Sequence, residues 1–303
     1  PLLNFLNKIK IIRWVMDKTI GIHIDRILPQ FNTTTFQKWF KKRNHVLKDP
    51  IDKVVIFGTC FTNSHDIDLG KASVKILEYN GVECVYPPQQ CCGAPHLSPG
   101  DFDGFKKQAS PNIDELNKWV EQGYKIVVTG PPTCSLTLKK EYPDYLGLND
   151  KIKNISENTF DISEYLMNIS KKEGLRGNLT KIDGGITLHL ACHSRAQNMG
   201  SKAAELMRLI PDTNLNVIER CSGHGGSWGM MKENFNTAHK VGKPAARKAV
   251  EANNTTVVSE CPLARDQIVQ GMENLSESSS TTKSVTSLYH PIEIFAQSSR
   301  FED

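Results

Sequence analysis

Short apolar runs alternate with longer amphipathic runs from residue 53 onward, which predicts strands that alternate with helices. Three early runs are typical of buried strands because they are rich in Val and Ile, and they cover residues 54–57, 82–86 and 126–128. A helix is predicted from about residue 66 to residue 79, where Asn80 and Gly81 end it. Residues 101–122 are also predicted to be helical, with a break at Pro111.

The same alternation returns in the second part of the chain. The predicted strands are residues 186–190, 217–218, 256–258 and 284–289, and the predicted helices are 195–209, 234–252 and a short one from Pro291. Strands that alternate with helices are typical of a parallel sheet covered on both faces. The pattern therefore predicts an α/β fold with two pseudo-repeated βα modules, each with a parallel sheet.

Residues 1–50 are predicted to form an N-terminal helical segment with a basic character. Apolar residues such as Leu2, Phe5 and Trp14 alternate with Lys8 and Lys10, which is an amphipathic pattern. Two interpretations follow from it. The helix packs on the body of the protein, or it docks on a membrane surface or on a partner protein.

Composition narrows the class of protein. The 303 residues leave room for two modules, and 39% hydrophobic with 23% charged residues is typical of a globular chain. A net charge of +4 gives no case for a nucleic-acid partner. No apolar run reaches the length of a membrane span, and Lys8, Lys10 and Arg13 interrupt the first one, so neither a transmembrane helix nor a signal peptide is predicted. We expect a cytoplasmic protein, or one peripheral at the inner face of the membrane, that was processed or trimmed before Pro1.

Seven of the eight cysteines follow predicted strands and repeat at matched spacings. Cys91 lies 31 positions after Cys60, and Cys221 lies 29 positions after Cys192. Cys134 then lies 43 positions after Cys91, and Cys261 lies 40 positions after Cys221. We interpret this as an internal duplication, with an N-terminal segment at 1–50, a first module at 51–180 and a second at 181–303. Because loops at the carboxyl ends of parallel strands meet at one edge of a sheet, the cysteines of each half are expected to converge.

Four thiolates in the first half, from Cys60, Cys91, Cys92 and Cys134, are soft ligands that suit zinc or an iron–sulfur cluster. The adjacent pair does not make a zinc knuckle, since neighbouring side chains tend to point apart, and this favours a multi-iron cluster. Gly93 is expected where the backbone approaches the cluster or adopts a positive φ. The remaining interpretation is that these are structural cysteines, which is the role expected of Cys84 within its strand.

The second half keeps only three of these thiols, because Ser222 stands where the first half has Cys92. Two interpretations follow. Thiolates from Cys192, Cys221 and Cys261 hold a cluster with one open coordination position, or the site is degenerate and holds a different metal or none. Several further residues are assigned from their positions. His193 and His224 are candidate ligands or supports of the ligands, Gly223 is the counterpart of Gly93, His189 is a core histidine, and His290 is a weaker candidate for contact with the site.

The two cysteine sets resemble the paired "CCG" cysteine-rich domains found in the B subunit of heterodisulfide reductase. They resemble more closely the C-terminal part of the C subunit of anaerobic glycerol-3-phosphate dehydrogenase. The segments that carry the resemblance are residues 21–29, 35–40, 140–143, 192–200 and 260–264. Two departures from the family pattern are visible: Pro131 stands where a fifth cysteine occurs, and Ser222 interrupts the second pair.

The resemblance implies iron–sulfur clusters, of the [4Fe–4S] kind, in an electron-transfer subunit. It would pass electrons between a flavin-containing dehydrogenase subunit, or a ferredoxin-type subunit, and a quinone or other carrier. The first alternative is a reductase that acts on a disulfide or small substrate at an open iron of the second site. The second alternative is a thiol-based redox sensor. Whether the chain is itself an enzyme stays open at this point.

Overall fold

The computed structural model describes residues 2–43, 45–276 and 287–299. Its strands form two four-stranded sheets in which all strand pairs are parallel. The first sheet contains β1 (Asp52–Gly58), β2 (Val82–Val85), β3 (Lys125–Thr129) and β4 (Thr159–Asp161), in the order β2-β1-β3-β4. The second sheet contains β5 (Ile186–His189), β6 (Leu215–Ile218), β7 (Thr256–Ser259) and β8 (Ser287–Tyr289), in the order β6-β5-β7-β8. The predicted α/β fold with two repeated modules is confirmed.

Sixteen α-helices lie within the described residues. They are α1 (Leu2–Leu6), α2 (Lys10–Thr19), α3 (Phe36–Lys42), α4 (Cys60–Ser64), α5 (Ile67–Tyr79), α6 (Ala94–Leu97), α7 (Phe102–Glu121), α8 (Pro132–Leu136), α9 (Tyr142–Leu146), α10 (Asp150–Asn158), α11 (Ile162–Glu173), α12 (Cys192–Ala196), α13 (Lys202–Met207), α14 (Lys232–Ala252), α15 (Pro262–Ser276) and α16 (Pro291–Ser298). A π-helical turn, Thr137–Glu141, joins α8 to α9. None of the described helices is long and apolar enough to cross a membrane.

The two sheets share one hydrophobic core. Alternate residues of a strand face opposite sides of its sheet, so Val55 of β1 packs under α7 and α10 while Ile56 points toward the other half. There Ile56 joins a buried cluster that includes Leu166 of α11, Leu188 of β5 and Phe295 of α16. The helices of this layer pack across the repeat in matched pairs, α5 on α16 and α11 on α13. The two modules therefore stabilise each other. Their boundaries at residues 50 and 180 stay a prediction.

Helix α7 runs through Pro111 without the predicted break. Proline removes one backbone donor, but the next residue fixes the helix against its neighbour. The Asn112 side chain accepts a hydrogen bond from the amide of Gln90 (2.8 Å) and donates to the carbonyls of Gln90 (3.2 Å) and Cys91 (3.0 Å). These tertiary contacts compensate for the lost helical hydrogen bond, so the prediction of a break was wrong.

Two other predicted elements change in the structure. The helix predicted at 195–209 is two short helices, α12 and α13, because Asn198 (φ 61°) and Gly200 (φ 80°) adopt left-handed conformations between them. Of the strand predicted at 284–289, only residues 287–289 are described, as β8, and 284–286 lie outside the described residues. The short strand β4 and the helices α4, α6, α8 to α11 and α15 were not predicted.

The N-terminal segment contains three helices and touches both halves. Residue Ile22 forms an antiparallel bridge with Met231 of the second half, and the Asn32 amide donates to the Ser64 carbonyl of the first (2.9 Å). In α2 the only buried residue is Arg13. The large apolar side chains that stay exposed on this segment are those of Leu2, Leu3, Phe5, Ile11, Trp14, Val15, Ile20, Ile27, Phe31 and Val46.

Candidate metal centre

The first-half cysteines follow three strands that end at the same edge of the first sheet. Cys60 opens α4 after β1, the Cys91-Cys92 pair follows β2, and Cys134 lies in α8 after β3. Thr59 caps α4, since its hydroxyl accepts a hydrogen bond from the Thr62 amide (3.2 Å). Consecutive parallel strands thus bring together thiols that are up to 74 residues apart in the sequence.

The four thiols form a chain of neighbouring sulfurs. Cys92 Sγ lies 3.2 Å from Cys134 Sγ, and Cys91 lies close enough to Cys60 and Cys92 for the three thiols to shift one another's pKa. Hydrogen bonds from Cys60 and Cys92 lower the pKa of Cys91, whereas hydrogen bonds with their neighbours raise the pKa of Cys60 and of Cys92. Of Cys60, Cys91 and Cys92, Cys91 is therefore the thiol that loses its proton most readily.

The loop that carries the pair is held from several sides. The Tyr142 hydroxyl, which is buried, donates to the Cys92 carbonyl (3.0 Å), and the Asn112 amide binds the Cys91 carbonyl. Gly93 has φ 95°, and a Cβ at this position would lie 2.8 Å from the Phe105 ring. The positive φ expected of Gly93 is therefore present. The close neighbour that excludes a side chain is Phe105.

All eight cysteines, each within the described residues, are free thiols. Cys84 is buried in β2, as expected of a core residue. In the described part of the chain, no group of three or more Cys, His, Asp or Glu side chains is arranged around a single metal ion. The assignment of the cysteines as ligands stays a prediction.

The second-half cysteines occupy the equivalent places at the edge of the second sheet. Cys192 opens α12 after β5, Cys221 follows β6, and Cys261 precedes α15 after β7. Burial raises the pKa of Cys261 to about 11, and the nearby Cys192 adds to the effect. Cys192 and Cys221 are exposed, and the Cys221 sulfur accepts a hydrogen bond from the Gly223 amide (3.4 Å). This set is more open to solvent than the first.

Gly223 and its neighbour Ser222 lie against the long helix α14. A Cβ on Gly223 (φ 75°) would lie 2.0 Å from the Ala238 carbonyl oxygen, and one on Gly242 would lie 2.2 Å from the Ser222 carbonyl oxygen. Two glycines therefore allow the loop and the helix to approach backbone to backbone. The contact fixes the loop that follows Cys221.

His224 does not present a metal-binding lone pair in this arrangement. Its Nδ1 lies 2.8 Å from Nη2 of Arg26, which is always a donor. A neutral imidazole whose Nδ1 accepts a hydrogen bond carries its proton on Nε2. Burial and the Arg26 charge lower the pKa of His224 to about 4, so the ring stays neutral near pH 7. His224 is thus suited to donate a hydrogen bond from Nε2.

Residues adjacent to the two cysteine sets are joined by a direct hydrogen bond. Thr133 Oγ1, next to Cys134, lies 2.7 Å from Nδ1 of His193, next to Cys192. The Gln197 side chain adds a hydrogen bond to the Ser135 hydroxyl (2.8 Å). Helices α8 and α12 thereby hold the two cysteine-bearing edges side by side. If His193 donates through Nδ1, its Nε2 is free to bind a metal.

The sequence-based interpretation missed Glu260 and Arg26. Glu260 is 2% exposed, and it accepts a hydrogen bond from the amide of Ala191 (2.9 Å), next to Cys192. Burial and the nearby Asp161 carboxylate raise the pKa of Glu260 to about 8. A charged residue at the end of the apolar run 256–258, directly before Cys261, was the available signal for it. For Arg26 the available signal was its position within residues 21–29, one of the segments that carry the family resemblance.

His189 and His290, the other two histidines that the sequence analysis assigned, stabilise the structure. His189 is buried, with its two ring nitrogens 2.9 Å from the Ser259 hydroxyl and 2.9 Å from the Arg220 carbonyl, as expected of a core histidine. His290 caps α16 by accepting a hydrogen bond from the Ile292 amide (3.2 Å). The cavity of about 470 Å³ that Gly184, Gly185 and Asn254 help to line lies at the opposite, amino end of the second sheet.

The fold and the cysteine positions define a duplicated α/β protein with one cysteine set on each sheet edge. The chain belongs to the CCG cysteine-rich domain family, whose model matches residues 54–139 and 186–265. The two matches coincide with the first three strands of each sheet and include all seven of the cysteines that follow strands.

Three curated relatives illustrate the similarity. The C subunit of anaerobic glycerol-3-phosphate dehydrogenase of Escherichia coli is 28% identical over 98% of this chain and 72% of its own length. The B subunit of fumarate reductase (CoM/CoB) of Methanothermobacter marburgensis is 26% identical over 75% of this chain and 43% of its own length. An uncharacterised iron–sulfur protein of Methanocaldococcus jannaschii is 28% identical over 77% of this chain and 44% of its own length.

Proposed function

We propose that the chain is an iron–sulfur electron-transfer subunit of a dehydrogenase or reductase complex. The observation that carries the proposal is the contact among the sulfurs of Cys60, Cys91, Cys92 and Cys134. One relative is named an iron–sulfur protein, and two are named as subunits of a dehydrogenase and a reductase. A bound cluster would accept and release single electrons, at a potential set by its surroundings.

The residues present fit such a group. Four soft thiols would hold a [4Fe–4S] cluster in the first half, with Gly93 keeping the loop turned toward it. In the second half Cys192, Cys221 and Cys261 would be ligands, with Nε2 of His193 as a candidate fourth. The hydrogen bond that His193 Nδ1 then donates to the Thr133 hydroxyl would connect the two sites directly, which suits electron transfer between them.

Iron and sulfide counts on anaerobically purified protein test the proposal. We expect both elements in the parent chain, and loss of the first-site iron alone in Cys92→Ala. Cys84→Ala is the matched control, because it removes a buried thiol of the same half that is not in the cysteine set. A parent chain free of iron refutes the proposal. It would favour a thiol-based redox sensor instead, since Cys92 and Cys134 are close enough to react.

A second candidate function is reductive cleavage of a disulfide or small substrate at the second site. Two observations favour it: Cys192 and Cys221 are exposed, and three thiols leave one ligand position for a substrate. Electron paramagnetic resonance of the reduced protein, with and without a disulfide, separates this function from simple electron transfer. An unchanged spectrum would count against it.

The N-terminal segment is the proposed docking surface. Its exposed apolar side chains, among them Leu3, Phe5 and Trp14, lie with Lys8 and Lys10 on and between the first two helices. We propose that it contacts a flavin-containing dehydrogenase subunit, a ferredoxin-type subunit or a membrane surface, and that a quinone or other carrier is the acceptor. Replacement of the exposed Leu3, Phe5 and Trp14 by Ser, which leaves Arg13 in place, should abolish co-purification with the partner while the iron content stays the same.

A further inference from the structure

Arg26 is a buried cation with unused hydrogen-bond donors. It is only 5% exposed, and of its three guanidinium nitrogens Nη2 is bound to His224 while Nε and Nη1 have no partner. Burial lowers its pKa, yet an arginine stays charged near pH 7. A buried charge without a counter-ion is costly, so such a group is expected to face a negative one.

The N-terminal segment places Arg26 in this position with several contacts. The Arg13 guanidinium donates to the carbonyls of His23 (2.7 Å), Ile24 (3.1 Å) and Arg26 itself (2.6 Å). From the second half, the Gln270 side chain donates to the Asp25 carbonyl (2.6 Å). The backbone on both sides of Arg26 is thus fixed, and its side chain is held where this segment packs on the second half.

The surroundings of Arg26 belong to the second cysteine set. His224 lies three residues after Cys221, and Asp266 lies in the first turns of α15, the helix that follows Cys261. Asp266 is the acidic residue whose charge acts on Arg26, but it is already paired with Arg265 (3.1 Å). His224 and His239, the other titratable groups facing it, have pKa values lowered by burial and by Arg26, so neither is a counter-ion.

The first cysteine set has no equivalent cation. Within the described residues, Arg13 and Arg26 are the only arginines or lysines that are buried, and both belong to the N-terminal segment. Arg13 uses its donors on the backbone carbonyls of that segment. A buried, incompletely paired guanidinium is therefore a feature of the second site alone.

We propose that Arg26 is a positioning residue that raises the reduction potential of the second site, through its charge and through its free N–H donors. This inference rests on the proposed function, because it requires a redox group held by Cys192, Cys221 and Cys261. A one-electron reduction adds one negative charge to that group. A buried cation nearby favours the more negative, reduced state, as do hydrogen bonds to its sulfur atoms. His224, with its proton on Nε2, supports the same effect.

The test is a redox titration monitored by electron paramagnetic resonance on the parent chain, Arg26→Met and Arg26→Lys. The second-site signal is identified as the one missing in Cys192→Ser. In Arg26→Met we expect at least a tenfold shift of the second-site reduction equilibrium toward the oxidised form, about 59 mV for one electron. The first-site signal should not move. Arg26→Lys keeps the charge and should retain most of the parent potential.

Arg43→Met is the matched control. Arg43 also belongs to the N-terminal segment, but it forms an ion pair with Glu78 of the first half, so its loss should leave the second-site potential unchanged. Unchanged second-site potentials in both Arg26 variants at normal iron content would overturn the inference. Equal shifts of the first-site and second-site potentials would also overturn it. Loss of the second-site iron in both Arg26→Lys and Arg26→Met would do the same, since these results indicate a structural role for Arg26. A parent chain without iron overturns both this inference and the proposed function.

Discussion

The pH dependence of stability should differ in sign between two equivalent helix caps. Asp161 caps α11 in the first half and His290 caps α16 in the second, and each begins a capping box, with Glu164 and Glu293 respectively. Both caps are buried, at 4% and 2% exposure. The duplicated fold therefore places an acid and a base in the same structural role.

Burial shifts the two pKa values in opposite directions. It raises the pKa of Asp161 from 3.8 to about 6, against the opposing effect of the Ser163 amide, and it lowers the pKa of His290 from 6.5 to about 3. The contribution of Asp161 to the free energy of unfolding, about 3 kcal/mol, is fully present below pH 3.8 and is lost as the pH rises through 6. Stability from His290 is complete above pH 6.5 and is lost as the pH falls toward 3.

When the pH rises from 5 to 7, the pKa shift of Asp161 lowers the free energy of unfolding by about 1 kcal/mol. Over the same range the pKa shift of His290 raises it by about 2 kcal/mol. Asp161→Asn and His290→Asn keep an N-cap acceptor and remove the titration. Free energies of unfolding from urea titrations at pH 5, 6 and 7 give the difference between each variant and the parent. We expect Asp161→Asn to gain on the parent as the pH rises, and His290→Asn to gain as it falls.

Two results would refute this reasoning. If the free energy of unfolding changes equally with pH in Asp161→Asn and in the parent, the Asp161 carboxyl does not titrate between pH 5 and pH 7. If Asp161→Asn is less stable than the parent at pH 7 by more than about 1 kcal/mol, then the charge of Asp161 is stabilising. That outcome would mean that the Lys139 cation and the Ser135 hydroxyl outweigh the burial.

Two further predictions concern the contacts that hold the sites. Gly242→Ala should cost about 1–3 kcal/mol in unfolding free energy and lower the second-site iron content, because its Cβ would lie 2.2 Å from the Ser222 carbonyl oxygen. Gly271→Ala is the milder control, since its Cβ would meet only the Ala246 side chain at 2.9 Å. An equal loss of stability in both variants would contradict the argument. Thr133→Val should cost about 1 kcal/mol by removing the partner of His193, whereas Thr133→Ser should be close to the parent; urea unfolding measures both, and no difference between the two variants would show that the hydrogen bond is unimportant.

The sequence predicted the features that depend on periodicity and spacing. Runs such as 54–57 and 186–190 are buried on both faces, so they stand out as apolar whatever packs on them. The cysteines follow strands, so a repeat in strand spacing is also a repeat in cysteine spacing. Convergence of the first-half thiols then follows from parallel topology alone.

The features it did not predict depend on tertiary contacts. The continuity of α7 through Pro111 relies on hydrogen bonds between Asn112 and the loop at Gln90, which no local pattern reveals. The role of Arg26 relies on a contact with His224, 198 residues further along the chain. His224 itself was expected to be a candidate ligand, and its tautomer is set by that same distant arginine.

The two cysteine sites differ in one residue within the second module and in one contact from the N-terminal segment. In the first half the fourth thiol, Cys92, is buried under Phe105 and Tyr142. In the second half Ser222 holds the corresponding place, and the segment 21–29 adds a guanidinium beside the loop. The loss of an anionic thiolate and the gain of a cation act in the same direction, because each makes the site less negative. Under the proposed function, the second site should therefore be the easier one to reduce, with Ser222 and the segment outside the duplicated modules acting together.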